Sequence, residues 1–149
     1  MGWRMKRTVA VLMLCSMTTV LAKGATRRVV ITGGTLAPGA HVEATNSAAL
    51  ANVWAGAFLG DPAEPPGAGE PRYQVSFYVV PPREHDERVM YVVRYVRDPS
   101  MPGGGFVYLP GRGEEYYSLN VSTILRPEQD GRWHRARADW SRAINSALP

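Results

Sequence analysis

The feature that most constrains the fold of this chain is a pair of long segments near its centre with the composition of β-strands. In residues 72–80 the alternate apolar residues share one strand face: Tyr73, Val75, Phe77 and Val79. Residues 88–97 are apolar on both faces, which is typical of a strand inside a sheet. Because a loop of about eight residues joins the two segments, they favour an antiparallel pair.

Shorter segments add further extended patterns on both sides of this pair. They are residues 27–32, 41–45, 106–109, 119–125 and 132–137. Glycine pairs and the Asp130-Gly131 turn signal separate several of them. Together with the central pair, these segments predict four or five strands in a largely antiparallel meander.

Two segments have the periodicity of amphipathic helices. The first begins at capping residues 45–47 and ends near Gly60, with an apolar face of Leu50, Val53, Trp54, Ala57 and Phe58. The second begins near Ala138, with an apolar face of Trp140, Ala143, Ile144, Ala147 and Leu148. The spacing places Trp54 in the core. We therefore predict an α+β fold in which both helices pack on one face of the sheet.

Residues 61–71 contain four prolines and two glycines in 11 positions, so we expect a loop there. Neither the part before this loop nor the part after it looks complete alone. We therefore predict a single globular domain over residues 23–149, with residues 61–71 as a surface loop.

The N-terminus has the three-part order of a secretory signal peptide: a basic stretch over residues 1–7, an apolar run over residues 8–22, and small residues after it. The run is 15 residues long, which is short of the ~20 apolar residues that span a bilayer. We predict cleavage after Ala22, with Gly24 as the alternative. The mature protein is then secreted or periplasmic, and it contacts the membrane only through the transient signal peptide.

Cleavage changes the charge and the cysteine content. The segment holds three of the 17 cations, none of the 13 acidic residues, and the only cysteine, Cys15. The formal charge therefore falls from +4 to +1, or to zero if Lys23 also leaves. The mature domain is disulfide-free and lacks the cationic surplus of nucleic-acid-binding proteins, so we predict no nucleic-acid partner.

The motifs of common enzyme classes are absent from the sequence. It has no Gly-x-Ser-x-Gly elbow, no phosphate-binding loop, no His-x-x-x-His pair and no cysteine after cleavage. We therefore predict no catalytic residue, no metal and no cofactor. The alternative is a small secreted hydrolase or metal-dependent enzyme that uses His134 or His85 with nearby carboxylates such as Asp86 and Glu87.

A candidate binding surface lies in residues 110–117 and 131–134. It combines residue types enriched at binding hot spots with polar neighbours: Arg112, Glu115, Tyr117, Trp133 and His134. The competing interpretation is that Tyr117 and Trp133 pack beneath loops as an extension of the core. The partner is then an unidentified protein or an envelope polymer.

Three segments carry a resemblance to known sequences: NVWAGAFLG, GFVYLPGRGEEYYSLNVSTILRP and GRWHRA. They resemble uncharacterised secreted bacterial proteins of unknown function. The resemblance implies export and a shared fold, and it implies no activity. Together with the missing catalytic motifs, it leads us to expect a non-enzymatic binding protein of the envelope or extracellular space.

Overall fold

The computed structural model describes residues 24–51, 55–121 and 129–149. The predicted signal peptide lies outside these residues, as do Val53 and Trp54 of the first predicted helix. The strands are β1 (Ala25–Gly33), β2 (His41–Ala44), β3 (Leu59–Pro62), β4 (Tyr73–Val80), β5 (Arg88–Arg97), β6 (Gly105–Leu109) and β7 (Arg132–Ala136). They form one sheet in the order β2-β1-β4-β5-β6-β7-β3, and every pairing is antiparallel.

The helices of the described residues are α1 (Ser47–Leu50), α2 (Tyr117–Val121) and α3 (Ala138–Ala147), with a short 3-10 turn at Ala55–Ala57. The predicted α+β class and largely antiparallel sheet are confirmed. The prediction of four or five strands with two amphipathic helices was wrong, because this part of the chain contains seven strands and three short helices. None of the described helices has the length and apolar character needed to cross a membrane.

The first predicted helix is much shorter than its periodicity indicated. Asn46 caps α1 by accepting a 2.8 Å hydrogen bond from the Ala49 amide, but Ala51 then takes a left-handed φ of 53°. Residues 59–62 form the edge strand β3 instead of a helix end. Gly60 permits this approach, since a Cβ there would lie 2.6 Å from the Arg135 carbonyl oxygen of β7. The glycine that suggested a helix terminus is therefore a strand residue.

The face of the sheet beneath α1 and α3, which we call the inner face, carries the main core. Phe77 and Tyr91 stack at 4.0 Å between ring centroids, and Phe58 lies 5.3 Å from the Trp140 ring. The Trp140 indole also donates a 3.2 Å hydrogen bond to the Ala49 carbonyl oxygen, which ties α3 to α1. The predicted apolar face of α3 is thus buried where its spacing placed it.

Helix α2 lies beside a gap in the sheet. Strand β6 pairs with β5 only over Arg94–Arg97, and no other strand of the described residues pairs with the first half of β5 on that side. Asn120, which is fully buried, accepts a 2.8 Å hydrogen bond from the Val92 amide and donates a 2.6 Å one to the Val92 carbonyl oxygen. One side chain thus replaces a neighbouring strand at this point. The extended pattern predicted for residues 119–125 was wrong over 119–121, and residues 122–125 lie outside the described chain.

We expect Asn120→Ala to lower the free energy of unfolding by about 2–4 kcal/mol. Two buried backbone groups lose their partner, and each unsatisfied group costs about 1–3 kcal/mol. Urea denaturation measures the change. Ser118→Ala is the matched control, because Ser118 is exposed on the same helix and should change stability by less than about 0.5 kcal/mol. Equal stability of the two variants would contradict this role for Asn120.

Candidate functional site

The loop over residues 110–116 is held in place by the carboxylate of Glu114. Its Oε1 accepts hydrogen bonds from the Tyr108 hydroxyl and, at 2.9 Å, from the Gly111 amide. Its Oε2 lies 3.5 Å from a guanidinium nitrogen of Arg94. Three donors from two strands and the loop itself thus converge on one side chain.

These contacts shift the pKa values of both partners in the hydrogen bond between Tyr108 and Glu114. The Tyr108 hydroxyl, with the Gly111 amide and Arg94, lowers the pKa of Glu114 below its ordinary value. Burial, with the neighbouring Glu114 carboxylate, raises the pKa of Tyr108 to about 12. At neutral pH the Tyr108 hydroxyl therefore donates this hydrogen bond and the Glu114 carboxylate accepts it. We call Glu114 with its contacts to Tyr108, Gly111 and Arg94 the Glu114 clasp.

The two loops of the candidate surface pack against each other. The Gly131 amide donates a 2.8 Å hydrogen bond to the Leu109 carbonyl oxygen. A Cβ on Gly111 would lie 2.9 Å from the Gly131 Cα, so the backbones approach as closely as two glycines allow. The structure therefore brings the start of the loop of residues 110–117 against the turn at Gly131.

The five candidate residues do not all face the same way. Arg112 and Glu115 are exposed in the loop that Glu114 holds, and Tyr117 is half-buried at the first position of α2. Trp133 is half-buried on the outer face of the sheet, opposite the inner face. His134, the next residue of β7, is buried on the inner face. A ligand that touches Trp133 from the outer face therefore does not reach His134.

Trp133 is packed by its neighbours on the outer face. Its ring lies 5.2 Å from the Tyr108 ring, and the Arg72 guanidinium carbon is 5.8 Å from its centroid. Its carbonyl oxygen accepts a 3.0 Å hydrogen bond from the Ala63 amide. These contacts favour the interpretation that Trp133 extends the core beneath the loops.

Arg72 also organises the proline- and glycine-rich loop. One guanidinium nitrogen donates to the carbonyl oxygens of Glu70 at 2.8 Å and of Gly67 and Ala68 at 3.2 Å. The predicted loop over residues 61–71 corresponds to the connection between edge strand β3 and central strand β4, although its first two residues belong to β3. The Arg72 guanidinium therefore fixes the path of the loop over residues 66–72.

The histidines lie on separate elements. His134 places Nδ1 3.3 Å from the Gly60 carbonyl oxygen and Nε2 3.0 Å from that of Gln129, so both ring nitrogens face main-chain acceptors. His41 is exposed on the edge strand β2, and His85 is exposed in the loop between β4 and β5. Within residues 24–51, 55–121 and 129–149, no group of three or more His, Cys, Asp or Glu side chains is arranged to hold a metal ion.

Sequence reasoning missed a cleft of about 500 Å³ at the end of the sheet where β4 begins and β5 ends. Its polar lining includes Thr35, Glu70, Tyr73, Arg97 and Asn145. These residues come from four separate parts of the chain, and none belongs to a motif. The only signal in the sequence was Arg97, a charged residue at the end of an apolar strand.

Comparisons of the chain with protein-family models, with curated proteins and with solved structures find no match. The resemblance to secreted bacterial proteins therefore stays a prediction. The proposals below rest on geometry and on the residues themselves.

We expect Glu114→Gln to destabilise the protein by about 1–2 kcal/mol at neutral pH, because a charged acceptor of several hydrogen bonds becomes a neutral amide. The folded-state pKa of Glu114 lies below its ordinary value of 4.5. The advantage of the native protein over this variant should therefore be complete above pH 4.5 and disappear as the pH falls through the lowered value.

Urea denaturation across the acid range measures this difference. Glu115→Gln is the control, since Glu115 is exposed and lies next to Glu114 in the loop. A difference between the native protein and Glu114→Gln that did not change with pH would show that the charge of Glu114 is irrelevant to the loop.

Proposed function

We propose that this protein is a non-enzymatic binding protein of the envelope or extracellular space, and that it contacts a partner protein through the loop of residues 110–117. The observation that carries the proposal is the clasp of Glu114, which fixes the loop through Tyr108, Gly111 and Arg94. A preformed loop loses little conformational entropy on binding, so its contacts contribute more fully to affinity.

The side chains on this loop suit a protein interface. Arg112 and Glu115 are exposed charges, and Tyr117 and Trp133 are half-buried. Aromatic residues and arginine dominate hot spots when a polar rim surrounds them. Binding to an envelope polymer by ring stacking requires an open aromatic face. The Trp133 ring already contacts Tyr108 and Arg72, which favours a protein as the partner.

The geometry gives the enzymatic alternative little support. His134 contacts two main-chain carbonyl oxygens on the inner face, where a general base would need a carboxylate or a substrate proton beside it. His85 lies in an exposed loop with Asp86 and Glu87. Neither histidine lies in the cleft at the end of the sheet.

The proposed location follows from residues 1–22. Cleavage after Ala22 leaves Lys23 at the new N-terminus, and cleavage after Gly24 leaves Ala25, the first residue of β1. Both positions preserve the whole of β1, which pairs with β2 and β4. Either cleavage is therefore compatible with the sheet.

We expect intact-mass measurement of the protein recovered outside the cytoplasm to show an N-terminus at Lys23 or Ala25, because signal peptidase cuts after small residues. The same protein with Ala22 and Gly24 both changed to Leu should keep the segment, since large residues then occupy both cleavage positions. A native protein that began at Met1 would contradict export by this route.

We expect Arg112→Ala and Tyr117→Ala to weaken capture of the partner by at least about fivefold each, since truncating a hot-spot residue costs more than about 1 kcal/mol. The partner is isolated by cross-linking in cell-envelope fractions, and its affinity is measured with the purified components. Arg137→Ala, a change at another exposed arginine, is the control and should leave capture unchanged.

Two results would overturn this assignment. If neither Arg112→Ala nor Tyr117→Ala changes capture of the partner, the loop is not part of the interface. If binding survives protease treatment of the envelope fraction and is reproduced with purified envelope polymer, the partner is a polymer and not a protein.

A further inference from the structure

The sheet ends in two edge strands that differ in how well they could pair with a further strand. Strand β2 lies at one end of the strand order and β3 at the other, and each has one neighbouring strand among the described residues. The free side of an edge strand presents backbone amide and carbonyl groups with which another chain can pair. The sequence of each edge therefore decides whether it can serve as an interface.

Strand β3 is poorly suited to accept a further strand. Its register with β7 shifts between Leu59 and Pro62, so its backbone is irregular. Pro62 has no amide to donate, and Asp61 beside it is an exposed charge. Proline and exposed charges are features that block pairing at sheet edges. This end of the sheet is therefore closed to further strands.

Strand β2 has a regular edge instead. Its four residues, His41–Ala44, pair with Val29–Thr32 of β1 without a register shift, and none of them is proline or glycine. Beyond the ladder with β1, β2 forms no backbone hydrogen bond with the rest of the described chain. Its outward-facing amide and carbonyl groups can therefore pair with a second strand.

The side chains of β2 alternate between an apolar and a charged face. Val42 lies opposite the fully buried Ile31 on the inner face and is itself half-buried, whereas His41 and Glu43 are exposed on the outer face. Oε1 of Glu43 lies 2.6 Å from a guanidinium nitrogen of Arg28 and 3.7 Å from Nε2 of His41. Oε2 of Glu43 has no hydrogen bond or ion pair with the described residues, so it is available to a second chain.

One antiparallel register makes this edge complementary to itself. When Val42 faces its counterpart across a twofold axis, His41 of each copy faces Glu43 of the other. Two opposite-charge pairs then lie on the outer face, and two valines meet on the inner face. The next registers that keep the faces aligned set Glu43 against Glu43 or His41 against His41, and both lose the opposite-charge pairs.

We propose that β2 pairs with β2 of a second copy of this chain, in the register that places His41 opposite Glu43, to form a weak and reversible dimer. The two seven-stranded sheets then make one continuous antiparallel sheet. Strands β6 and β7, which adjoin the loop of residues 110–117 and the turn at Gly131, lie towards the other end of the sheet. The dimer therefore leaves that loop free, and the proposal does not depend on the function proposed above.

Sedimentation velocity of the purified protein, in the form recovered from its native compartment, tests the proposal. At neutral pH and from about 10 µM to about 1 mM protein, we expect a monomer–dimer equilibrium with a Kd on the order of 0.1 mM. The affinity is low because a four-residue edge buries much less than the roughly 1,200–2,000 Å² of a stable interface. Glu64→Lys is the matched control, since it reverses an exposed carboxylate in the loop after β3 and should leave the Kd unchanged.

Charge variants test the register. His41→Glu should weaken association by at least about tenfold, because it sets two acidic pairs across the twofold axis, and Glu43→Lys should weaken it by removing both opposite-charge pairs. An equimolar mixture of these two variants should recover association, because the new glutamate of one chain faces the new lysine of the other. His41→Lys places a permanent cation opposite Glu43 and should lower the Kd by about threefold, and it serves if Glu43→Lys fails to fold.

The proposal is overturned if the native protein stays monomeric at about 1 mM, well above the expected Kd. It is equally overturned if His41→Glu dimerises with unchanged affinity, or if the mixture of His41→Glu and Glu43→Lys associates no better than either variant alone. Partner binding by the loop of residues 110–117 is judged by its own capture experiment and is unaffected by these results.

Discussion

The stacking of aromatic rings on the inner face is the interaction on which the rest of the structure depends. A sheet of seven strands offers a wide apolar surface, and α1 and α3 together supply only 14 helical residues to cover it. Large rings fill the space that longer helices would otherwise occupy. Phe58, Phe77, Tyr91 and Trp140 lie in contact beneath these helices and are fully buried. This packing holds β4, β5 and α3 at the relative positions that the cleft requires.

Away from the main core, polar side chains that each satisfy several groups organise the segments around the sheet. Asn120 bonds both backbone groups of one β5 residue, Glu114 gathers three donors, and Arg72 gathers the carbonyl oxygens of a proline-rich loop. Loops normally pay for their order with conformational entropy. Here, one side-chain anchor in each segment offsets part of that cost, so the loop of residues 110–117 is tied to the sheet through Glu114.

Hydrophobic periodicity in the sequence predicted those strands and helices that bury one continuous face. The two-residue period of β4 and β5 and the 3.6-residue period of α3 follow from one continuous buried face, and each was found close to its predicted bounds. The predicted end of the first helix was wrong because Gly60 is a strand residue that lies against Arg135, which is distant in sequence. The two loops of the candidate surface meet at Gly111 and Gly131, whereas His134 falls on the opposite face because strand neighbours alternate. The cleft around Arg97 could not be predicted, because its lining is assembled only by the complete fold.

The side chain of Asn120 has a further consequence for how this protein behaves when it is disturbed. It bonds both backbone groups of Val92 in β5, a segment rich in valine and tyrosine. Any local opening of α2 uncovers a strand edge of the kind that recruits a second chain. Partial unfolding at this point would therefore expose the backbone of Val92 to pairing with a second chain, and the Asn120 amide is one of the groups that prevent it.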